Sequence, residues 1–379
     1  MATASLSIKK HFTRLRDPRI HRRKRHLLID IIVIAVCAVI CGADNWQQVT
    51  AVGRRRLDWF KRFLKLPNGI PSHDTFERVF NLLDPDVFLR CFLEWTRSLY
   101  EALGTEQIAI DGKTLRRSGS PSKGLAALHV VSAWATKNNL TLGQVAVEAK
   151  SNEITAIPRL LELLDLQGAL VTIDAMGCQK AIAEQIIDRG GNYLFTVKDN
   201  QEHLAEDIRA CFEKAFDTNF ENVKSDEYST TEKAHGREEW RSYVILHDPV
   251  DIRNLDAWPK LCVIGLCVSE RTVNGKTSTE ERYFIGSKRA GAKYYAQALR
   301  NHWRVENCLH WQMDLTFDED GSRIRQRNAA ENFSGLRRMA LNLLKRHPSK
   351  SSIACKRLEA AMDVEFLEEV LRANTLGDV

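Results

Sequence analysis

The chain of 379 residues has no CxxC pair, no HExxH motif, no low-complexity or Gly/Pro-rich tract, and no apolar run long enough to span a bilayer. Each absence removes a class of protein. Its nine cysteines, odd in number and without a CxxC, fit free buried thiols in a reducing compartment better than a disulfide framework. The absence of biased tracts, with 44% hydrophobic residues, excludes a disordered chain, and the length suggests two or three folded domains. The longest apolar run, Leu27 to Cys41, has fifteen residues and is interrupted by Asp30. A membrane helix needs about 20. The same run follows a basic stretch, as in a signal peptide, but that stretch is too long, Asp30 breaks the apolar part, and no small-x-small cleavage site follows. The run therefore reads as a buried helix, and the expectation is a cytoplasmic protein with no membrane partner.

Charge is plentiful but uneven. The net charge is +6, and residues 9 to 25 hold nine basic side chains against one acid, Asp17. This stretch is either a solvated tail or an arm that neutralises phosphates, and basic stretches later in the chain favour the second. Residues 1–104 read as helical. In "NGIPSHDTFERVFNLL", Pro71 and Ser72 break the chain, Ser72 or Asp74 can cap, and Phe76, Val79, Phe80 and Leu83 recur at helical spacing. Short helices with basic loops suit a DNA-binding domain, with a helix-turn-helix as one form it could take.

After residue 104 the pattern changes to β-β-β-α-β-α-β, from "EQIAID" through "LHVVSAWA", "LTLGQVAVE" and "ALVTID" to "NYLFTVK". That order indicates an α/β fold, a mixed sheet with helices on both faces. A β-rich block at about 220–287, with a hairpin at "VNGK", interrupts it and reads as an insertion. The domains expected are 1–104, 105–350 with that insertion, and a helical tail at 351–379.

Asp111 and Asp174 both stand where a strand runs out, in "AIDGK" and "TIDAMG". A lone acid there is often a turn former or cap. Two in one sheet would repel unless a cation lay between them. The stretch "RNHWRVENCLHWQMD" adds Glu306 on a helix with little aliphatic surface. On a regular helix His302, Glu306, His310 and Met313 share one face, with Trp303, Asn307 and Asp314 beside it. A structural helix with satisfied polar groups is one reading, and a zinc site from His302, Glu306 and His310 is another. The third brings Glu306 to Asp111 and Asp174, and it is preferred because three carboxylates suit Mg²⁺ or Mn²⁺, as two ions about 4 Å apart. Trp303, Arg304, Asn307 and His310 then become groups that stack on bases or touch the DNA backbone. Arg323 and Arg325 alternate in a way that could follow a phosphate backbone.

An Asp after the first strand, an Asp after the fourth and a Glu on a helix beyond the fifth, split by a β insertion, resemble the ribonuclease-H-like DDE transposases. More narrowly, "IAIDGKTLRRS", "TIDAMGCQKAIA", "YLFTVKDNQ", "HGREE" and "RNHWRVENCLHWQMDLTFDED" resemble insertion-sequence transposases of the H-repeat-associated family, over nearly the whole chain from about residue 16 to 345. The resemblance implies a metal-binding triad of Asp111, Asp174 and Glu306. It also implies DNA-contacting roles for Lys113, Lys198 and Asn200, and a signature in His235, Gly236 and Arg237. The broader group's Tyr-x2-Arg-x3-Glu-x6-Lys pattern is missing, with Leu299, His302 and Met313 in place of Tyr, Arg and Lys. The implied activity is Mg-dependent cutting of element ends and their transfer to target DNA, by a homodimer or higher assembly on paired ends at the bacterial nucleoid. A metal-dependent nuclease without strand transfer, and a DNA-binding relic of a mobile element, stay open as alternatives.

Overall fold

The computed structural model describes residues 3–20, 22, 24–99, 107–148, 151–234 and 236–372. Helices α1 (Thr3–Phe12), α2 (Leu28–Ile40), α3 (Trp46–Arg55), α4 (Leu57–Lys61), α5 (His73–Leu82) and α6 (Pro85–Leu99) come first. Strands β1 (Gln107–Leu115), β2 (Leu128–Ala135) and β3 (Leu140–Ala146) precede an alternation of α7 (Glu153–Leu163), β4 (Leu170–Ile173), α8 (Lys180–Asp188), β5 (Asn192–Val197) and α9 (Glu202–Asp217). Four strands follow, β6 (Ser225–Ala234), β7 (Arg237–His247), β8 (Val263–Val273) and β9 (Lys276–Gly286). The chain continues through α10 (Ala292–Val305), a π-helical turn (Glu306–His310), α11 (Trp311–Leu315), α12 (Arg327–Arg346), α13 (Ile353–Met362) and α14 (Val364–Arg372). The chain divides into two compact units, one of Met1–Leu103, Gly112–Asn152 and Glu306–Val379, the other of Gly104–Asp111 and Glu153–Val305. This division does not follow the sequence order expected from breaks at 104 and 350.

The first unit is built around α2. Every residue from Ile31 to Ile40 is at most 2% exposed, as expected of a helix that is apolar on all sides. It packs against α1, α3, α12 and α13, so the fifteen-residue apolar run is a core helix. No helix among the described residues is long and apolar enough to cross a membrane. Asp30 is buried at its start and accepts a hydrogen bond from Leu66 N at 2.9 Å. Burial pushes its carboxyl up, and the Leu66 amide and Lys9 only partly oppose this. Helix α5 forms as its sequence suggests: Ser72 Oγ accepts from Thr75 N at 3.3 Å, and Phe76, Val79 and Phe80 are fully buried. The segment after Lys350 belongs to this core, since Arg357 is buried, donates to Val39 O, pairs with Asp44 at 3.2 Å and lies 4.2 Å over the Phe317 ring.

The same unit holds a buried ionic cluster. Glu319 and Arg338 have fully buried side chains and pair at 2.8 Å, and Ser334 Oγ donates to Glu319 Oε1 at 2.7 Å. Burial opposes ionisation of Glu319, but Arg338, Arg337 and Lys113 outweigh it and hold the carboxyl down at about 2.

The second unit carries a mixed sheet with the strand order β1-β4-β5-β9-β8-β7-β6. β1, β4 and β5 run parallel, and β5-β9, β9-β8, β8-β7 and β7-β6 are antiparallel. β4, in the parallel part, reads Leu-Val-Thr-Ile and is buried at every position. The β-rich block at 220–287 is not a separate sheet: β9 pairs with β5 through Val197↔Tyr283 to Leu194↔Gly286, so the block prolongs the α/β sheet. Its hairpin is the one legible at "VNGK", with Val273 opposite Lys276 and positive φ at Asn274 (50°) and Gly275 (73°), the backbone a two-residue I′ turn requires. α10 covers one face of this sheet, where Ala292, Tyr295 and Ala298 pack with Leu170, Leu194 and Phe284.

Candidate active site

In the second unit, parallel pairing of β1 with β4 sets Ile110 opposite Ile173. Asp174 follows the last residue of β4, but Asp111 is not at a strand end as its sequence suggested, because β1 runs on to Leu115. Extending the register by one residue sets the two backbones side by side where β4 stops, about 5 Å apart. Side chains alternate along a strand, so Gln107, Ala109 and Asp111 share a face with Leu170, Thr172 and Asp174. That face is the one α10 covers. Gln107 Nε2 donates to Ala298 O at 2.7 Å and to Thr172 Oγ1 at 3.3 Å. Thr172 Oγ1 in turn meets His302 Nδ1 at 3.0 Å. A buried polar chain thus fastens α10 to the two strands that carry the acids, and the residue after α10 is Glu306.

Asp174 is held by its own turn. Its Oδ1 accepts from Met176 N at 3.1 Å, and it caps the 3₁₀ turn Ala175–Gly177. A Cβ on Gly177 would lie 2.3 Å from Ile173 Cγ2 and 3.0 Å from Ile157 Cδ1, which explains the small residue in "DAMG". Asn200 Nδ2 donates to Ala175 O at 2.7 Å and ties the segment after β5 to this turn. Burial pushes the Asp174 carboxyl up and Glu153 adds to the shift, while the Met176 and Gly177 amides and Lys198 oppose it. Glu153, Gln107 and Thr172 were not singled out in the sequence. The two strand residues stood two and four positions before an Asp, the spacing of one strand face.

In the first unit, Glu306 opens the π turn, and His310 Nδ1 lies 3.4 Å from Glu306 Oε2. Lys345 donates to Cys308 O at 2.7 Å and sits 3.9 Å over the Trp134 ring, bracing the turn from α12 and β2. π turns widen the helix by one residue per turn and recur at functional sites. One consequence is that the faces projected on a regular helix do not hold beyond Val305. Met313, where the broader pattern has Lys, is fully buried. Asp314, projected beside Trp303, instead joins Asp320 (3.3 Å) and Glu319 (4.0 Å) around Lys113.

The remaining predicted residues fall into two groups. Lys113 is buried and held by those acids, and His302 and His310 are buried; the structure gives these three a place in the fold rather than at an open surface. Lys198, Asn200, Arg237, Trp303, Arg304, Asn307, Arg323 and Arg325 are exposed. Trp303 keeps 45% of its surface exposed, with the Arg282 guanidinium 5.0 Å from its ring centre. His235 lies outside the described residues.

Residues 102–343 match the family model described as "Transposase DDE domain", and residues 9–96 match "DDE_Tnp_1-associated". A relative named "Putative transposase YncI" in Escherichia coli O157:H7 is 44% identical over 361 residues, covering 94% of this chain and 92% of the relative. The "H repeat-associated putative transposase YhhI" of Escherichia coli (strain K12) is 40% identical over 375 residues, covering 97% and 98%. A solved piggyBac transposase synaptic complex with hairpin DNA aligns with 99% of this chain and 82% of its own at 13% identity, but its TM-score of 0.36 is too low to bear on the fold. With the DDE family model matched over well over half its length and transposases alike along almost all of it, the chain belongs to the DDE transposase family, among the H-repeat-associated members.

Proposed function

We propose that this chain cuts DNA at the ends of a mobile element and joins the cut ends to target DNA, with Asp111, Asp174 and Glu306 as the carboxylates that hold divalent metal. The observation that supports the proposal is the parallel register of β1 and β4, whose last pair, Ile110 opposite Ile173, immediately precedes Asp111 and Asp174. The donor set fits a hard cation: oxygens without thiolate, with burial and Glu153 both opposing ionisation of Asp174, so bound positive charge would favour the ionised pair. Mg²⁺ or Mn²⁺, as two ions, supplies Lewis-acid polarisation of phosphodiester oxygens when bound.

The chain's own residues do the positioning. Met176 N and the Asn200 tether fix the Asp174 turn, His302 and Gln107 hold α10 to the strands, and His310 steadies the Glu306 carboxylate. Lys198, Asn200, Trp303, Arg304, Asn307, Arg237, Arg323 and Arg325, all exposed, are the DNA contacts this reading assigns. The assembly is a homodimer or larger on paired inverted repeats in the bacterial cytoplasm, at the nucleoid. The test is Asp111→Asn, Asp174→Asn and Glu306→Gln, each assayed for Mg²⁺-dependent cleavage of a duplex carrying the element end. Each variant is expected to lose cleavage by at least about a hundredfold while keeping DNA affinity, since phosphate neutralisation supplies most of that. Full activity in all three would overturn the triad, and cleavage with no joined product would reduce the function to that of a nuclease.

A further inference from the structure

Strand β6 is the last strand of the second unit's sheet. It pairs with β7 on one side, and no strand among the described residues pairs with the other. Such an edge presents a row of backbone N–H and C=O groups, and proteins blunt it by shortening the strand, bulging it, placing proline in it or laying a segment along it. β6 shows none of these. It is 10 residues long without proline, holds one register with β7 from Ser225↔Leu246 to Ala234↔Arg237, and is exposed at every residue except Tyr228 and Thr230. α10 fixes it from one face: Asp226 accepts from Ala292 N at 2.7 Å, and Glu232 pairs with Arg300 at 2.9 Å. The edge is long, braced and open.

Its one guard is charge: Asp226, Glu227, Glu232 and Lys233 keep a foreign apolar strand away. The same charges fit a second copy of β6. An antiparallel pair sets residues of one face directly opposite each other, and two copies about a two-fold axis run antiparallel. Centred on Thr230, that pairing sets Glu227 opposite Lys233 at both ends, with Ser229 opposite Thr231, Tyr228 opposite Glu232 and Asp226 opposite Ala234. No like charges meet. Of the registers a two-fold axis allows, no other sets an acid of β6 opposite its lysine. Centring on Ser229 opposes Asp226 to Glu232 twice, and centring on Glu232 opposes that residue to itself. Lys233 already meets Glu238 of its own chain at 2.9 Å, so in the pair its ammonium would lie between two carboxylates.

We infer that β6 is a seam between two copies of this chain, joined edge to edge about a two-fold axis at Thr230, so that two sheets become one. This goes beyond the DNA-processing reading, which names no interface: the seam is a protein–protein contact that needs no DNA and makes no use of the carboxylates. It is tested on the full chain without DNA, by sedimentation over a range of concentrations. Wild type is expected to dimerise. Lys233→Glu or Glu227→Lys sets like charges opposite at both ends and should weaken association at least about tenfold, while Glu227→Lys/Lys233→Glu restores opposite signs and should return it to within about threefold of wild type. A merely structural role for either residue would not be rescued by the exchange. Thr230→Cys should give a disulfide-linked dimer under mild oxidation, in excess of wild type, whose exposed Cys355 sets the background, and of Thr277→Cys, on exposed β9 away from the edge. A monomeric wild type at every concentration overturns the seam. So does a dimer that ignores both single charge reversals and gives no excess cross-link through Thr230→Cys, and an exchange variant that stays as weak as the single ones overturns the register. Each of these results leaves the triad's cleavage test as it was, and loss of the triad leaves the dimer as it was.

Discussion

Replacing Glu319 by Gln should be among the most costly single substitutions in the first unit. Two routes give the size of the effect. Glu319 and Arg338 are completely buried, and loss of the carboxylate leaves Arg338 without its 2.8 Å counter-charge, a change that costs about 3–5 kcal/mol. Independently, a carboxyl held at about 2 instead of its ordinary 4.5 is stabilised in its ionised form by about 3 kcal/mol. The sign follows from the depressed value: the contribution is complete above the ordinary carboxylate range and is lost as pH falls from about 4.5 towards about 2. Urea unfolding followed by tryptophan fluorescence should therefore show a gap of about 3 kcal/mol between wild type and Glu319→Gln at pH 7, narrowing as the pH is lowered into that window. The double variant Glu319→Gln/Arg338→Met should recover part of the loss, because it removes the stranded Arg338 charge, and only part, because buried Arg337 still loses Glu319 as a counter-charge. A Glu319→Gln gap within about 0.5 kcal/mol at pH 7, the size of an ordinary surface change, would refute the account of this cluster.

Three further outcomes follow from the same geometry. Thr172→Val keeps the shape of β4 but deprives His302 and Gln107 of their shared hydroxyl. It should lower the turnover number for cleavage about tenfold with DNA affinity unchanged, and Thr172→Ser should restore it. Gly177→Ala drives a methyl into Ile173 and should lower stability by about 1–3 kcal/mol, read as a shift in Tm, and impair cleavage through the Asp174 turn. All nine cysteines are free, so thiol titration of the unfolded chain should give nine thiols with or without reductant, and reductant should leave Tm unchanged.

The parts of this molecule legible in its sequence are those where a local period and a local burial agree. The α2 run is apolar all round and lies in a core; α5 alternates apolar and polar positions and buries one side; "VNGK" needs positive φ twice and has the residues that allow it. Asp174 was legible for the same reason, as an acid that ends an apolar strand, whereas Asp111 was not, because β1 runs on past it to Leu115. The segment from Arg300 to Asp314 was legible in content but not in geometry. Reading it on a regular helix assigned faces by 3.6-residue periodicity, and the π turn at Glu306–His310 changes that phase at the residue that matters. Lys113 shows a second limit. The family resemblance implies a DNA contact there, yet Asp314, Glu319 and Asp320, about two hundred residues away, surround its ammonium. Charge read along the chain counts a lysine as free until the fold supplies its partners, and only long-range packing decides that. The same reasoning runs in the opposite direction at Arg22, Arg25 and Arg78, where folding brings three cations to one groove and no acid to meet them. A basic residue is available to an anionic partner when the structure leaves its charge uncompensated, and by that criterion Lys113 belongs to the scaffold.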